Sequence, residues 1–146
     1  MNLSELIAHP PDAETLRKWL KKVPYATYLG MEAEIVGDDI LFILPADDKL
    51  IGNPTLPAIH GGVVGAFMEQ AAVFQLLAKM DTPVLPKIID FSLDYLRPSR
   101  LIDTYASCTV TRQGRFIANV SVSAWQENSE QPNAIARAHF LIPENN

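Results

Sequence analysis

The sequence predicts an α+β fold in which a sheet of about six strands wraps around one buried helix. Residues 63–78 contain only three polar side chains, Glu69, Gln70 and Gln75. A helix that is apolar on nearly every side is expected in a protein core. The segments before and after this stretch alternate apolar and polar residues, which is typical of half-buried strands. A sheet around a single helix satisfies both patterns.

Composition limits the possible functions. The 146 residues suit one domain, and the net charge of −5 argues against general nucleic-acid binding or an anionic membrane surface. Cys108 is the only cysteine and cannot form an internal disulfide, which favours a reducing compartment. The N-terminus lacks a signal-peptide pattern, and the three histidines are too scattered for a metal site. We therefore expect a soluble, cytoplasmic protein without a bound metal.

The N-terminal residues predict helices. Residues 1–9 suit a short helical turn. Asp12 is a suitable cap for a helix over Ala13–Lys22, which ends at Val23-Pro24. The inward face of that helix is expected to carry Leu16, Trp19 and Leu20.

A hairpin is predicted next, with strands over residues 31–36 and 40–44 and a turn at Gly37-Asp38-Asp39. Residues 45–59 then read as a long irregular loop, and loops of this length are often functional. This loop places Asn53 near the head of the central helix, although Asn53 suits an ordinary turn equally well.

Four strands follow the central helix. They are predicted over residues 87–96, 104–111, 116–125 and 134–142, with a hairpin turn at Arg112-Gln113-Gly114-Arg115 and a free tail from Pro143. Their periodicity leaves the order of the strands in the sheet open.

The central helix combines two features that suit chemistry at a carbonyl group. Gly61 and Gly62 suit a tight helix entry, where unpaired N–H groups and the helix dipole attract an oxyanion. Glu69 lies about two turns further on, where burial of a carboxylate is costly. An oxyanion donor and a nearby acid suit attack on a carbonyl. The alternative is structural: a salt-bridged core glutamate and two glycines that serve packing.

Five motifs, in order, carry a resemblance to a known family: Gly52-Asn53-Pro54, His60-Gly61-Gly62, Glu69, Tyr95-Leu96-Arg97-Pro98 and Gly114-Arg115. With them the sequence resembles a hotdog-fold acyl-CoA thioesterase of the phenylacetate-pathway (PaaI-like) type. The resemblance covers about residues 23–142. It therefore implies a single hotdog domain over residues 23–146 and an N-terminal helical extension over residues 1–22.

The resemblance implies a long antiparallel sheet wrapped around one central buried helix. It also implies subunits that pair edge to edge, as a homodimer or as a homotetramer made of two dimers, with active sites at the subunit interface. The implied substrate is an acyl-CoA with a medium-chain or aromatic acyl group. No cofactor is implied, since coenzyme A enters as part of the substrate.

The resemblance also implies roles for individual residues that match the family's motifs. The Gly61 or Gly62 N–H would polarise the thioester carbonyl, and Glu69 from the facing subunit would act as general base or nucleophile. Asn53 would orient water or the carbonyl, and His60 would shape the loop. The resemblance assigns coenzyme A contacts to two segments: Tyr95, Leu96, Arg97 and Pro98, and Arg112, Gln113, Gly114 and Arg115. A solvated hairpin is the simpler interpretation of these arginines.

Two departures from the family keep rival functions open. Val73 and Ile88 stand where some relatives carry hydroxyl residues, so a non-catalytic acyl-CoA sensor or carrier is the main alternative. A hotdog hydratase typically pairs its acid with a histidine on the same segment. The next histidine after Glu69 is His139, so the hydratase is the weaker rival.

Overall fold

The computed structural model describes residues 11–81 and 84–144. Its helices are α1 (Ala13–Lys22), α2 (Pro24–Leu29) and α3 (Gly61–Lys79). Its strands are β1 (Glu32–Val36), β2 (Asp39–Leu44), β3 (Ile51–Asn53), β4 (Ala58–Ile59), β5 (Lys87–Tyr95), β6 (Thr104–Gln113), β7 (Ile117–Trp125) and β8 (Ala134–Leu141). The short helical turn predicted over residues 1–9 lies outside the described residues.

Six of these strands form one antiparallel sheet. Its order is β1-β2-β6-β7-β8-β5, so β1 and β5 are the two edges. All six were predicted, with ends that differ by no more than two residues. The strand order is a finding of the structure, since it depends on which segments pair. The predicted hotdog architecture, a long antiparallel sheet around a central helix, is confirmed.

Helix α3 packs across one face of this sheet, chiefly against β6 and β7. Phe67, Met68, Ala71 and Ala72 are almost fully buried. Every second residue of β7 and β8, such as Val120 and Phe140, is buried on the face of the sheet that contacts α3. By length and hydropathy α3 could cross a membrane, but 56% of its most apolar stretch is buried inside the protein. That burial is what the core helix of a soluble protein shows.

The N-terminal helix has the predicted bounds. The Thr15 N–H donates to Asp12 Oδ1 over 2.7 Å, and this hydrogen bond lowers the pKa of the Asp12 carboxyl. Leu16, Trp19 and Leu20 are buried in the same hydrophobic core as α3. Helix α2 was not predicted. It begins with Pro24 at its first position, where proline is well tolerated, and ends at Gly30.

The loop predicted over residues 45–59 is more regular than its sequence suggested. A 3-10 turn over Asp48–Leu50 leads into β3, which pairs with β4 as a small separate hairpin. The His60 N–H donates to the Leu50 carbonyl over 2.8 Å. The hairpin therefore fixes the chain at the entry of α3. Its strands are too short for their periodicity to be read from sequence.

Candidate active site

His60 caps the head of α3. The Gly62 N–H donates to His60 Nδ1 over 2.8 Å, so one of the two candidate oxyanion donors already has an acceptor. The backbone is crowded here: a Cβ on Gly62 would lie 2.9 Å from His60 Nδ1, and one on Gly52 would lie 2.6 Å from His60 Cα. Glycine at 52 and 62 is therefore required for this close packing around His60.

In contrast to Gly62, the Gly61 N–H has no hydrogen-bond acceptor among residues 11–81 and 84–144. The Tyr95 hydroxyl donates to the Gly61 carbonyl over 2.6 Å and holds this peptide in place. The amide lies at the positive end of a 19-residue helix dipole, which favours a negative oxygen. Of the two glycines, Gly61 is the one whose N–H can polarise a carbonyl group.

A groove opens at this end of α3. It has a volume of about 390 Å³, and Gly61, Tyr95, Leu96, Arg97 and Pro98 line it. The Arg97 guanidinium donates to the Pro132 carbonyl over 2.7 Å, which ties this segment to the loop before β8. The structure thus brings the first predicted coenzyme A segment next to Gly61.

Glu69 is half-buried, so the carboxylate on this apolar helix is partly open to solvent. It lies on the one stripe of α3 that the protein leaves partly uncovered, together with Gly62, Ala66, Gln70 and Val73. No hydrogen bond or ion pair of Glu69 occurs among the described residues, so the alternative of a salt-bridged core glutamate finds no partner there. The helix is covered on its other sides, which is why its composition is so apolar.

The uncovered stripe runs beside the edge strand β5. A Cβ on Gly65 would lie 3.2 Å from Leu93 Cδ2, and Glu69 shares a cavity with Ile88. None of the nine residues of β5 is buried, whereas alternate residues of β7 and β8 are. Both the helix stripe and the neighbouring strand are therefore open on the same side of the molecule.

The cavity beside Glu69 has a volume of about 220 Å³. Val73 and Ile88 line it, so the two positions where some relatives carry hydroxyl groups do lie next to the acid. Trp19 and Val23, at the end of α1, also line this cavity. The amphipathic pattern of α1 predicted that Trp19 faces inward, but it did not predict that Trp19 lies in the same cavity as Glu69.

Asn53 lies in the β3–β4 hairpin. Its Oδ1 accepts hydrogen bonds from the Thr55 N–H over 3.0 Å and from the Thr55 hydroxyl over 2.6 Å. This is an Asx turn, the ordinary turn role that the sequence left open. Asn53 is an exposed residue, and its amide nitrogen has no acceptor among the described residues. That nitrogen therefore remains available as a donor while Oδ1 serves the turn.

The second coenzyme A segment, Arg112 to Arg115, lies at the other end of the sheet. The register places Tyr95 opposite Ala134, while Lys87 and Ile117 both pair with Leu141. Lys87 and Tyr95 are eight residue steps apart, which is about 26 Å of strand. One chain alone therefore does not bring the two predicted segments together.

The side chains of Cys108 and His139 do not contribute to the candidate active site. Cys108 packs against the core, and burial raises the pKa of its thiol, so a reactive thiolate is not available at neutral pH. His139 Nδ1 lies 3.1 Å from Asp90 Oδ2 on the sheet face opposite α3. In the part of the chain that the structure describes, no three His, Cys, Asp or Glu side chains are grouped to hold a metal ion.

Comparisons with known proteins give a consistent result. The family model for the thioesterase superfamily matches residues 56–133. A solved protein from Chromobacterium violaceum is 37% identical, with 91% of this chain and 93% of that chain covered and a TM-score of 0.72. No curated protein matches the sequence.

Two more distant structures share the fold. A phenylacetic acid degradation-related protein from Ralstonia eutropha is 22% identical, with a TM-score of 0.74 over 87% of this chain and 98% of that one. A Bacillus halodurans protein solved with CoA is 17% identical, with a TM-score of 0.74 over 99% of this chain and 92% of that one.

Proposed function

Because the chain belongs to the thioesterase superfamily, a family of thioester hydrolases, we propose that it hydrolyses acyl-CoA thioesters to a free acid and coenzyme A. A structural neighbour solved with CoA supports coenzyme A as the carrier. A neighbour related to phenylacetic acid degradation supports an aromatic acyl group beside a medium-chain one. The single observation that carries the proposal is the Gly61 N–H, which has no acceptor among the described residues and lies at the head of the helix that also bears Glu69.

The two groups cannot serve one reaction within one chain. Gly61 and Glu69 are eight residues apart on one straight helix, which is about 12 Å. A thioester carbon needs its oxyanion donor and its attacking group within about 3 Å of the reacting atoms. Each active site therefore combines Gly61 of one subunit with Glu69 of the partner subunit.

The open side of the molecule suits this pairing. Strand β5 is a long edge with nothing on its outer side among the described residues, and such edges pair readily. A two-fold axis that pairs two β5 strands antiparallel would cover the open stripe of both α3 helices. Around that axis Glu69 of the partner subunit approaches Gly61. The proposed assembly is this dimer, and two such dimers would form the tetramer.

The same axis would complete the coenzyme A site. Antiparallel pairing brings the Lys87 end of one β5 to the Tyr95 end of the other. The partner's Arg112 and the partner's Arg115 would then lie near the groove at Tyr95 to Pro98. Guanidinium groups are well suited to the phosphates of coenzyme A.

The reaction then needs few groups. The Gly61 N–H polarises the thioester carbonyl, and Glu69 of the partner subunit takes a proton from the attacking water. The tetrahedral intermediate collapses as the C–S bond breaks, and the thiolate takes up a proton to leave as coenzyme A. Direct attack by Glu69 through an anhydride, with later hydrolysis, uses the same placement. Asn53 orients the water or the carbonyl.

Thiol release tests this function. The wild-type protein, incubated with a panel of medium-chain and aromatic acyl-CoAs, is expected to release one thiol for each acid formed, as followed by colorimetric trapping. The panel is repeated without protein to subtract spontaneous hydrolysis. Saturable binding of the esters without any thiol release would contradict the proposal and would identify a sensor or carrier instead.

Mixed dimers test the shared site. Chains with Glu69→Gln and chains with Gly61→Pro, each inactive alone, are co-expressed with different tags. Random pairing makes half of the dimers mixed, and each mixed dimer has one site that carries neither substitution. Activity is therefore expected to return to about a quarter of wild type. A mixture as inactive as its two parents would show that one subunit supplies both groups.

A further inference from the structure

Tyr95 connects the end of strand β5 to the head of α3. Its hydroxyl donates to the Gly61 carbonyl oxygen over 2.6 Å, although the two residues are 34 positions apart in the chain. A Cβ on Gly61 would lie only 3.2 Å from that hydroxyl oxygen, so the phenol lies directly against the main chain of Gly61. A tyrosine hydroxyl has one proton, and this hydrogen bond uses it. The hydroxyl therefore donates to Gly61 and cannot also donate to coenzyme A.

The orientation of the Gly61 N–H depends on hydrogen bonds on both sides of the residue, because glycine has the greatest backbone freedom. Before Gly61, two N–H groups of the first turn of α3 donate to the His60 carbonyl oxygen over 2.9 and 3.2 Å. After Gly61, the next peptide is bound at both of its polar atoms. Its carbonyl oxygen accepts from Tyr95, and its N–H, that of Gly62, donates to the His60 ring. Tyr95 is the one of these partners that comes from the sheet.

The strand end that carries Tyr95 is itself held by hydrogen bonds. Immediately after it, the N–H groups of Leu96 and Arg97 donate to the Asn133 carbonyl oxygen over 2.8 and 3.1 Å. Asn133 is buried, and its Nδ2 donates to the Pro98 carbonyl oxygen over 3.0 Å. A group held from a supported strand keeps its geometry better than one held from a loop. The Tyr95 hydrogen bond therefore ties the head of α3 to a fixed part of the sheet.

From these contacts we propose that Tyr95 is a positioning residue, whose hydroxyl fixes the orientation of the Gly61 N–H toward the thioester carbonyl. The proposal rests on the proposed thioesterase function and adds a residue that acts through Gly61. The Tyr95 ring also lines the groove at this end of α3. A hydroxyl that contacted coenzyme A would affect substrate binding, whereas a hydroxyl that positions the amide affects turnover.

Tyr95→Phe separates these two roles, because it removes the hydroxyl and keeps the ring. The residue is 57% exposed, so the variant should fold. We expect kcat to fall by about three- to tenfold, the effect of one net hydrogen bond, while KM changes by less than about twofold. Tyr105→Phe is the matched control on the sheet face opposite α3, where Tyr105 stacks on Trp125, and it should leave both constants unchanged. A higher KM with an unchanged kcat would overturn the proposal.

A double substitution tests whether the effect passes through the Gly61 amide. Gly61→Pro has no N–H at this position, so adding Tyr95→Phe to it should lower the residual kcat by less than about twofold. The residual rates are measured at high enzyme concentration. An effect of the same size with and without the amide would show that the hydroxyl acts elsewhere, and the proposal would then be wrong.

Backbone dynamics provide a measurement that does not depend on catalysis. In ¹⁵N relaxation of the substrate-free protein, the Gly61 N–H is expected to have an order parameter of about 0.85, the value of a rigid backbone. Tyr95→Phe should lower it toward about 0.6, and Tyr105→Phe should not change it. An unchanged order parameter in Tyr95→Phe would overturn the positioning role and leave the thioesterase standing. Absence of thiol release by wild type, with the expected fall in the order parameter, would overturn the thioesterase and leave Tyr95 as the residue that fixes this amide.

Discussion

Replacing Glu69 by glutamine is expected to lower kcat/KM for acyl-CoA hydrolysis by about 10²- to 10⁴-fold, the range of a general acid or base. Glutamine has nearly the same shape but cannot accept the proton of the attacking water. The side chain is half-buried and has no ion pair among the described residues. The fold should therefore persist, and thermal unfolding of the variant should stay close to that of wild type. Thiol-release kinetics and a melting curve on the same sample check both expectations.

The matched control is Glu34→Gln, the same change on an exposed carboxylate of β1, which should keep full activity. Full turnover by Glu69→Gln would remove Glu69 from the chemistry. Label in the Glu69 carboxylate after a single turnover in ¹⁸O-labelled water would establish the anhydride route. It arises when water attacks the Glu69 carbonyl of the anhydride, whereas a general base leaves the enzyme unlabelled.

Replacing Gly61 by proline is expected to lower kcat by about 10²- to 10³-fold, the usual cost of losing one oxyanion donor. Proline removes the N–H and suits the first position of a helix. His60, the preceding residue, has φ −57° and ψ 131°, an extended conformation that is compatible with a following proline. The substitution should therefore remove the donor while α3 remains in place. Steady-state kinetics and circular dichroism measure the two effects.

Gly61→Ala provides the control. Its Cβ, like that of proline, would lie 3.2 Å from the Tyr95 hydroxyl oxygen, so both variants require the same small shift of that side chain. Alanine keeps the N–H and should keep most of the activity. Equal losses in the two variants would assign the effect to crowding at Tyr95 and would remove the Gly61 amide from the mechanism.

Local patterns were enough to predict most of the fold. Helix α1 was predicted with its observed bounds because its cap, its amphipathic spacing and its stop signal all lie within the segment. The six strands of the sheet were predicted because alternation persists over their length. Helix α2 and the β3–β4 hairpin were missed because each element is shorter than two periods of its own pattern, with six residues in the helix and three and two in the strands.

Part of the candidate active site could likewise be predicted from the sequence, and part of it could not. The sequence by itself determined that Gly61, Gly62 and Glu69 belong to one helix and that its residues are mostly apolar, since these are properties of a contiguous segment. Only the tertiary structure decided that the Gly62 N–H bonds to His60 while the Gly61 N–H has no acceptor among the described residues. It also decided that Glu69 is half-buried beside an open strand edge and that Trp19 lines the cavity next to Glu69. These facts depend on contacts such as Tyr95 with Gly61, 34 residues apart. Periodicity records which face of an element is apolar, but the partner of that face is set by packing between distant segments.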